Sequence, residues 1–368
     1  MNGTMRPEES LTALYQSRFG CPPAAVEEIP ACGSYRRYCR LSSPWAVETG
    51  KAEGSPAPDP VPLTVIGAWN ADKKENAAFV SFARSFRQQG LPVPEIFAVD
   101  ESADIYLQED LGRVSLYDVV ARDWLPLADK AGNSAAAAQI FPDSLKDIYR
   151  RVLASLAELQ VAGKDCIDYS KCTPCPAFHR DAIHWDLNYF KYFFLRLLRV
   201  PFDEQALEDD FRAFSAWLLE ASCDYFLYRD FQSANIMLRD GTPCFIDFQG
   251  GRRGALQYDP ASLLFDAKTR LPRQIRDELR EEYICCLSER IPIDRQAFEK
   301  HYQGYALCRL LQALGAFGFR GVVEHKPGFR ESIPPALAMI RDLLDDWQLP
   351  LALPELKACL ARMQTVEI

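Results

Sequence analysis

The sequence lacks the features that typify membrane, secreted and nucleic-acid-binding proteins. No apolar run reaches the roughly 18 residues that a membrane-spanning helix needs. The first twenty residues carry acidic side chains and no apolar stretch of the kind found in signal peptides. Acidic residues outnumber basic ones by 51 to 42, and this net charge of −9 disfavours broad nucleic-acid binding. We therefore expect a cytoplasmic protein, a monomer or weak dimer, without nucleic-acid or membrane partners.

The 12 cysteines lack the paired CxxC motifs of a zinc ribbon. Cys172 and Cys175 form a single CxxC, with Cys166 before it and His179 after it. These four side chains have the chemistry of a structural zinc site, but two prolines in the same segment favour a turn. Two interpretations stay open: a zinc site, or a packed loop of reduced cysteines.

Residues 1–110 predict a small β-rich lobe with one prominent helix. Asp72 and Glu75 have the spacing of a capping box, and the phenylalanines that follow recur at helical intervals until Gly90. The other predicted elements are a short helix at 10–20, strand–turn–strand at 29–41, a loop at 48–62, a strand at 62–70 and two strands within 95–112.

Residues 111–368 predict a large, mainly helical lobe. The predicted helices are 144–162, 184–199, 203–221, 272–288, 295–318 and 332–346. We expect the alanine-rich segment 128–143 to be a loop, and a β-hairpin at 235–248 to interrupt the helices. The fold class is therefore α+β, with a connector near residues 108–114.

Three polar residues surround the predicted hairpin. Asn235 lies at its entrance, Asp247 at its exit, and Asp230 on the loop that leads into it. Because a hairpin brings its two ends together, Asn235 and Asp247 can reach one point. Their oxygens suit Mg²⁺ held against phosphate groups, and a nearby free aspartate can orient a hydroxyl nucleophile. This pattern is typical of phosphoryl transfer.

The same segment resembles the catalytic and metal-binding loops of protein-kinase-like enzymes. YRDFQSAN stands where those enzymes have H-R-D-x-x-x-x-N, and IDFQGG stands where they have D-F-G. With the following YDPASLL, the chain resembles the aminoglycoside phosphotransferase and choline kinase family. CGSYRRYCRL and LQEDLG make it most similar to the sugar kinases of that family that phosphorylate N-acetylated amino sugars at the anomeric hydroxyl. The resemblance implies a bilobal protein-kinase-like fold and an ATP- and Mg²⁺-dependent phosphotransferase with an alcohol group as acceptor.

The resemblance also implies roles for individual residues. Asp230 would be the catalytic base, Asn235 and Asp247 would hold Mg²⁺, and Arg229 and Asp259 would brace the catalytic loop. The implied nucleotide contacts are the phosphate loop at Gly33 and Ser34 and the adenine-pairing hinge at Gln108, Glu109, Asp110 and Leu111.

Two departures from the family pattern bear on the nucleotide site. Tyr228 replaces the usual histidine before Arg-Asp, which is mainly a scaffold residue. Gly67 and Ala68 stand near the place of the phosphate-binding lysine, whose usual partner would be Glu75. The adjacent Arg36 and Arg37 must face opposite sides of their strand, so we expect one of them to bind the ATP phosphates in place of the lysine.

The acceptor is expected between the catalytic loop and the helical lobe. Asp186 and Asn188, near the start of a predicted helix, could bind sugar hydroxyls, or Asp186 could cap the helix. Arg252 and Arg253 could contact substrate or phosphate, or be solvated loop charges.

Other functions also fit the pattern. The acceptor could be an aminoglycoside, choline or another alcohol, because fold does not decide substrate. The missing lysine also fits a nucleotide-binding pseudokinase, although the intact set of Asp230, Asn235 and Asp247 argues against it. A purely structural interpretation takes the three residues as turn formers and caps, which is hard to reconcile with all three surrounding one hairpin.

Overall fold

The computed structural model describes residues 6–30, 36–43, 64–100, 102 and 104–365. The chain divides into two compact units, Met1–Gly112 and Arg113–Ile368. The sequence placed this boundary two residues earlier. Gly33, Ser34 and the whole of the predicted loop at 48–62 lie outside the described residues.

The N-terminal unit is an antiparallel sheet with two helices among the described residues. In chain order its elements are α1 (Pro7–Phe19), β1 (Ala25–Ile29), β2 (Arg37–Ser42), β3 (Thr64–Trp69), α2 (Lys73–Gln88), β4 (Ile96–Val99) and β5 (Ile105–Glu109). The strand order is β1-β2-β3-β5-β4. The predicted strands within 62–70 and 95–112, the second strand of 29–41 and the helix before Gly90 are thus present. The first strand predicted at 29–41 is not confirmed, because β1 ends at Ile29 and residues 31–35 lie outside the described residues. Gly90 ends α2 at a positive φ of 75°.

The two faces of this sheet pack against different helices. Leu11 and Tyr15 of α1 pack against one face, in a core with Leu41 and Leu107. The intervening side chains along each strand point to the other face. There Tyr106 stacks on Phe79 of α2, with ring centroids 5.3 Å apart. The phenylalanine stripe of α2 is therefore buried as predicted.

The predicted capping box of α2 forms only in part. Asp72 caps the helix by accepting the backbone N–H groups of Lys74 and Glu75. The Glu75 carboxylate does not return to the Asp72 backbone N–H, which donates to Asn70 instead. Glu75 is thereby left for interactions with other side chains.

The C-terminal unit is mainly helical and contains two small two-stranded sheets among its described residues. Its elements are α3 (Leu116–Asp123), α4 (Leu125–Ala128), α5 (Ser134–Gln139), α6 (Asp143–Cys166), α7 (Arg180–Phe190), α8 (Glu204–Leu218), β6 (Tyr225–Leu227), β7 (Ile236–Arg239), β8 (Thr242–Phe245), β9 (Arg252–Gly254), α9 (Tyr258–Leu264), α10 (Arg273–Ser288), α11 (Arg295–Phe317), α12 (Ile333–Asp345) and α13 (Pro354–Arg362). Strand β7 pairs with β8, and β6 pairs with β9. The predicted hairpin is therefore present, and the β6–β9 pair is an addition.

Two predictions in this unit need correction, a loop at 128–143 and a helix at 184–199. The segment 128–143 is not all loop, because Asn133 accepts the Ala136 N–H and so caps the short helix α5. Helix α7 begins at Arg180 rather than 184, capped by His179. The helical path then continues as a π-helical stretch, Lys191–Arg196.

One helical stretch, Arg295–Val323, is long and apolar enough to cross a membrane by length and composition alone. It comprises α11 and a second π-helical stretch, Gly318–Val323. In this structure 61% of its most apolar window is buried inside the protein. We therefore assign it as a core helix of the C-terminal unit.

Candidate active site

The β7–β8 hairpin brings the predicted metal ligands together. Asp240 and Gly241 form its turn, both at positive φ (50° and 76°), a conformation that aspartate and glycine tolerate well. The Asn235 Nδ2 atom lies 3.4 Å from Asp247 Oδ2 and donates to the Asp230 carbonyl oxygen at 2.9 Å. All three predicted residues therefore meet at the open end of the hairpin.

Tyr228 fixes the strand end that carries Asp247. Its hydroxyl group donates a hydrogen bond to the Ile246 carbonyl oxygen, one residue before Asp247. Its ring is fully buried among Phe231, Phe245 and Phe248, and this burial raises its pKa well above the ordinary tyrosine value. The tyrosine thus supplies a rigid neutral donor where the resemblance implied a scaffold histidine.

Asp259, at the start of α9, accepts hydrogen bonds from the backbone of the catalytic loop. Its Oδ2 accepts the Tyr228 N–H at 2.8 Å and its Oδ1 accepts the Arg229 N–H at 3.0 Å. Gln160 of α6 adds a third bond at 2.9 Å. Full burial raises the pKa of Asp259 to about 7, and the three N–H donors oppose this by favouring the carboxylate.

The residue between Tyr228 and Asp230 has a strained backbone. Arg229 has a φ of 85°, a region that non-glycine residues rarely adopt. Its guanidinium group forms two hydrogen bonds to Asp186 at 2.6 Å each and donates to the Tyr258 hydroxyl group at 3.1 Å. These contacts and Asp259 hold the loop in the strained conformation.

Asp186 therefore has a different environment from the one expected. It lies within α7 rather than at its start, so it does not cap that helix. It is 6% exposed, and both carboxylate oxygens bind Arg229. The contact with sugar hydroxyls, the other interpretation from the sequence, has no support in this geometry, because the carboxylate is buried against Arg229.

Asp230 itself is partly open. Its carboxylate is 42% exposed, and Arg309 Nη2 lies 3.8 Å from its Oδ1. The sequence reasoning missed Arg309, which is some eighty positions further along the chain on α11. No local motif could have revealed it, because a long-range fold contact creates the pair.

Gln249 is a second residue that the sequence reasoning missed. It occupies the third position of D-F-Q, where the family pattern has glycine. Its Nε2 donates to Asp247 Oδ1 at 2.8 Å. Both carboxylate oxygens of Asp247 thus have an amide neighbour, Gln249 on one side and Asn235 on the other.

In the N-terminal unit, Arg36 and Arg37 face opposite sides of the sheet. Arg36 is 2% exposed, and its Nη2 binds Glu75 Oε2 at 3.1 Å. Asn70 Nδ2 donates to the same oxygen at 3.0 Å. Arg37 instead pairs with Glu8 and Glu28 on the α1 side. The prediction that either arginine could replace the lysine therefore narrows to Arg36.

The predicted hinge residues lie at the end of β5. Gln108 is paired on both sides, with Ile66 and Ile96, inside the sheet. The Glu109 side chain accepts the Glu95 backbone N–H, and Leu111 is 5% exposed.

The next hinge residue, Asp110, forms a buried ion pair with Arg40 at 2.6 Å. Burial alone would raise the pKa of Asp110, but hydrogen bonds from Arg40, Thr64 and the Gly112 backbone outweigh it and hold that pKa below its ordinary value. The Asp110 carboxylate is thus engaged within the N-terminal unit.

The two arginines that follow Asp247, Arg252 and Arg253, are structural in this geometry. Arg252 is 6% exposed and donates to the Gly250 and Thr173 carbonyl oxygens and to the Cys175 sulfur. Arg253 donates to the Asp224 carbonyl oxygen, and its guanidinium carbon lies 4.0 Å from the Tyr169 ring centroid. Both interpretations from the sequence, substrate contact and free loop charge, are therefore unsupported.

The remaining acceptor candidate, Asn188, is half-buried on α7. Its Oδ1 is buried and has no hydrogen-bond partner within the described residues. Nothing in the described residues shows whether this buried oxygen faces an acceptor, so the role of Asn188 stays a prediction.

The cysteine cluster does not form a metal centre in the described part of the chain. No three histidine, cysteine, aspartate or glutamate side chains there are placed to hold a metal ion. His179 Nδ1 accepts the Ala182 N–H as a helix cap, and Cys175 contacts Arg252. Burial raises the pKa of Cys172 to about 12, which disfavours the thiolate. The geometry matches the packed loop of reduced cysteines.

A sheet unit, a helical unit and a D-x-x-x-x-N loop followed by a hairpin-borne aspartate define a protein-kinase-like phosphotransferase. A family model described as "Phosphotransferase enzyme family" matches residues 69–292. The chain belongs to this phosphotransferase family, and the family's chemistry implies the use of ATP.

Three curated relatives carry the name N-acetylmuramate/N-acetylglucosamine kinase. The protein from Caulobacter vibrioides is 25% identical, over 98% of this chain and 97% of its own length. The one from Pseudomonas aeruginosa is 25% identical over 83% of this chain and 79% of its own. The one from Neisseria meningitidis is 23% identical over 73% and 75%.

Solved structures confirm the predicted protein-kinase-like fold. An amicoumacin kinase in complex with AMP-PNP and Ca²⁺ aligns with a TM-score of 0.56 at 12% identity, covering 90% of this chain and 91% of that one. The Plasmodium vivax ethanolamine kinase aligns with a TM-score of 0.55 at 12% identity, covering 86% and 81%.

Proposed function

We propose that this protein is an ATP- and Mg²⁺-dependent kinase that phosphorylates an amino sugar, at the anomeric hydroxyl group of an N-acetylated hexosamine. The observation that carries the proposal is the convergence of Asp230, Asn235 and Asp247 at the open end of one hairpin. The names of the three curated relatives support the substrate class. We further propose a cytoplasmic monomer or weak dimer that acts on a small molecule.

The donor set fits Mg²⁺. Asp247 offers a carboxylate, and the Asn235 amide uses its Nδ2 for the bonds to Asp230 and Asp247, which leaves its Oδ1 as a ligand. Two protein oxygens suit Mg²⁺, which usually keeps several waters and phosphate oxygens in its shell. When bound, the ion would offset the charge of the transferred phosphoryl group. Gln249 would then exchange its hydrogen bond to Asp247 for another partner.

Asp230 acts on the acceptor. Its exposed carboxylate accepts the hydrogen bond of the acceptor hydroxyl group and orients the oxygen for in-line attack on the γ-phosphate. The braced loop holds this carboxylate in a fixed position, because Asp259 binds the two backbone N–H groups before it. We retain the half-buried Asn188 of α7 as our candidate for a sugar hydroxyl or N-acetyl contact.

Arg36 supplies the positive charge that the absent lysine would provide to the ATP phosphates. Its ion pair with Glu75 supports this assignment, because Glu75 stands where the family's lysine partner is expected. We retain Gly33 and Ser34 as the phosphate loop and the backbone at Gln108–Leu111 as the adenine-pairing segment.

The experiment that tests the proposal measures Mg²⁺-dependent ATP consumption with N-acetylated amino sugars, neutral sugars, choline and aminoglycosides, beside Asp230→Ala. We expect turnover with an N-acetylated hexosamine that the variant loses, and a product that is labile to mild acid, as an anomeric phosphate is. Turnover with a different acceptor only would overturn the substrate class. Nucleotide binding without turnover on any acceptor would favour the pseudokinase.

A matched pair of variants tests the nucleotide assignment. Loss of one hydrogen bond to a charged group costs about 1.5–3 kcal/mol, so we expect Arg36→Met to weaken ATP binding by roughly 10- to 100-fold. Arg37→Met on the opposite face of the same strand is the control and should leave affinity unchanged. If calorimetry gives the two variants equal affinities for ATP, Arg36 is excluded as a phosphate-binding residue.

A further inference from the structure

Arg309 is distant from the catalytic loop in sequence but adjacent to it in the fold. It is 9% exposed, and its Nη2 lies 3.8 Å from Asp230 Oδ1. This distance is too long for a hydrogen bond and short enough for an ion pair. Because the carboxylate is 42% exposed, the pair contributes little to folding stability. Its position beside the catalytic residue therefore calls for a functional explanation.

Two other contacts fix the guanidinium group of Arg309. Its Nε donates to the Ser262 hydroxyl group at 2.8 Å, and its Nη1 donates to Gln312 Oε1. Ser262 belongs to α9 and is 2% exposed, so this support is rigid. A planar guanidinium group held by two of its nitrogens has its third nitrogen fixed as well. That third nitrogen is the one that faces Asp230.

Arg229, the other arginine close to Asp230, is already engaged. It binds both oxygens of Asp186 and the Tyr258 hydroxyl group. The remaining oxygen of Asp230, Oδ2, lies beside Gly250, where even an added Cβ would be 3.8 Å away. One oxygen of the carboxylate thus faces a fixed cation, and the other faces a residue without a side chain.

We infer that Arg309 is a positioning residue for Asp230: it holds Oδ1 so that Oδ2 is presented to the acceptor hydroxyl group. This inference rests on the proposed role of Asp230. In the transfer step the acceptor oxygen bonds to the γ-phosphorus, the bond from that phosphorus to the β–γ bridging oxygen breaks, and the hydroxyl proton passes to Asp230 Oδ2. Arg309 touches neither substrate nor phosphate in this step and acts only through the carboxylate.

The test is a double-mutant cycle of Arg309→Gln with Asp230→Asn, read as kcat and as KM for ATP. A displacement of about 1 Å at a catalytic group costs on the order of 100-fold, so we expect Arg309→Gln to lower kcat by roughly 10- to 100-fold with the KM for ATP unchanged. In the Asp230→Asn background the same change should lower kcat by less than about 2-fold, because residues that act as a unit are non-additive. Arg276→Gln is the control: Arg276 is also buried, lies on α10 and binds Asp342, and its replacement should leave kcat unchanged.

If Arg309→Gln lowers kcat by the same factor in both backgrounds, the inference is overturned, because a general structural defect would lower kcat by the same factor with or without Asp230. An unchanged kcat in Arg309→Gln alone would also overturn it. If Arg309→Gln fails to fold, Ser262→Ala and Gln312→Ala release the guanidinium group while keeping its charge. These two variants should lower kcat when Asp230 is present and have no further effect in the Asp230→Asn background. A kcat equal to that of the wild type in both variants would refute the inference.

The intrinsic hydrolysis of ATP separates this inference from the proposed function. If no acceptor in the panel supports turnover, water serves as the acceptor and the same cycle is run on ATP hydrolysis. If Arg309→Gln lowers ATP hydrolysis in the wild-type background but has no further effect in the Asp230→Asn background, the positioning role is supported. The amino-sugar proposal would fail in that case. Hydrolysis that is lost in neither variant would overturn both roles.

Discussion

Replacement of Asp259 by alanine should disable the enzyme more than it destabilises the fold. Asp259 is fully buried and accepts three hydrogen bonds, from the backbone N–H groups of Tyr228 and Arg229 and from the Gln160 amide. The Arg229 backbone is held at a φ of 85°, and such a conformation costs about 1–3 kcal/mol. Without the carboxylate, the loop loses the group that offsets this strain.

The magnitude follows from the number of donors. Each buried donor left without an acceptor costs about 1–3 kcal/mol, and water entering the space recovers part of that, so Asp259→Ala should lower the free energy of unfolding by about 3–5 kcal/mol. For a unit of this size the midpoint of thermal unfolding should fall by roughly 6–15 °C. Relaxation of Arg229 would displace the adjacent Asp230, and a displacement of about 1 Å should lower kcat on the order of 100-fold.

The assay combines calorimetric melting with steady-state kinetics well below the melting temperature of the variant. Asp210→Ala is the matched control, because Asp210 is also a buried aspartate that accepts a backbone N–H, that of Leu356, at the distant α13. It should lower the melting temperature and leave kcat unchanged. Asp259→Asn should lie between the wild type and the alanine variant, since its amide oxygen keeps part of the acceptor set.

Two results would refute this reasoning. A kcat for Asp259→Ala within about 3-fold of the wild type would mean that the loop keeps its conformation without the carboxylate, contrary to the magnitude expected for a displaced catalytic group. Equal losses of kcat in the Asp259 and Asp210 variants would mean that lost stability, rather than lost geometry, lowers turnover.

Three further predictions concern single contacts. Tyr228→Phe removes the donor to the Ile246 carbonyl oxygen and should raise the Mg²⁺ concentration needed for half-maximal activity, as a Mg²⁺ titration would measure; an unchanged requirement would contradict it. Asp110→Asn should lower the free energy of unfolding at pH 7, because the pKa of Asp110 is held low and the ionised form stabilises the fold. The difference in unfolding free energy between wild type and variant should shrink as pH falls below about 4. A difference that stays constant with pH in urea unfolding would contradict this prediction. In Gly67→Ala the new Cβ would lie 2.8 Å from Leu11 Cδ2, so we expect destabilisation of about 1–3 kcal/mol in thermal unfolding, and an unchanged melting temperature would count against the packing.

Local patterns predicted much of this fold. The hairpin followed from two short apolar runs around Asp240 and Gly241, and most helices followed from the period of their apolar residues. The failure at 128–143 has a local cause: a polyalanine run shows no amphipathic period, so only the Asn133 cap indicated α5. The early start of α7 depended on a histidine cap, which is not among the usual capping residues.

The proximity of Asp230, Asn235 and Asp247 was predictable from the sequence, and the contacts of the charged residues around them were not. Asp230, Asn235 and Asp247 are close in sequence, so their spacing carried the information. For Asp186 and Arg252 the sequence left a substrate contact open beside a helix cap and a solvated loop charge, because each is a charged residue near the predicted site. Their actual partners, Arg229 and Cys175, lie 43 and 77 positions away, and such pairing depends on tertiary packing that no sequence window contains.

The Arg36–Glu75 pair has a consequence for how related sequences are sorted into active and inactive members. The lysine that is conventionally used as the marker of a competent nucleotide site is absent from β3, yet the neighbouring strand delivers a guanidinium group to the same helix glutamate. Side chains on adjacent strands that point to the same face can form the same ion pair with the helix glutamate without a change in the backbone. On the proposed role of Arg36, the capacity to bind nucleotide phosphates depends on whether a cation reaches the helix glutamate, and not on the residue at one alignment position. Sequences without the lysine should therefore be examined for a cation one strand away before they are classified as inactive.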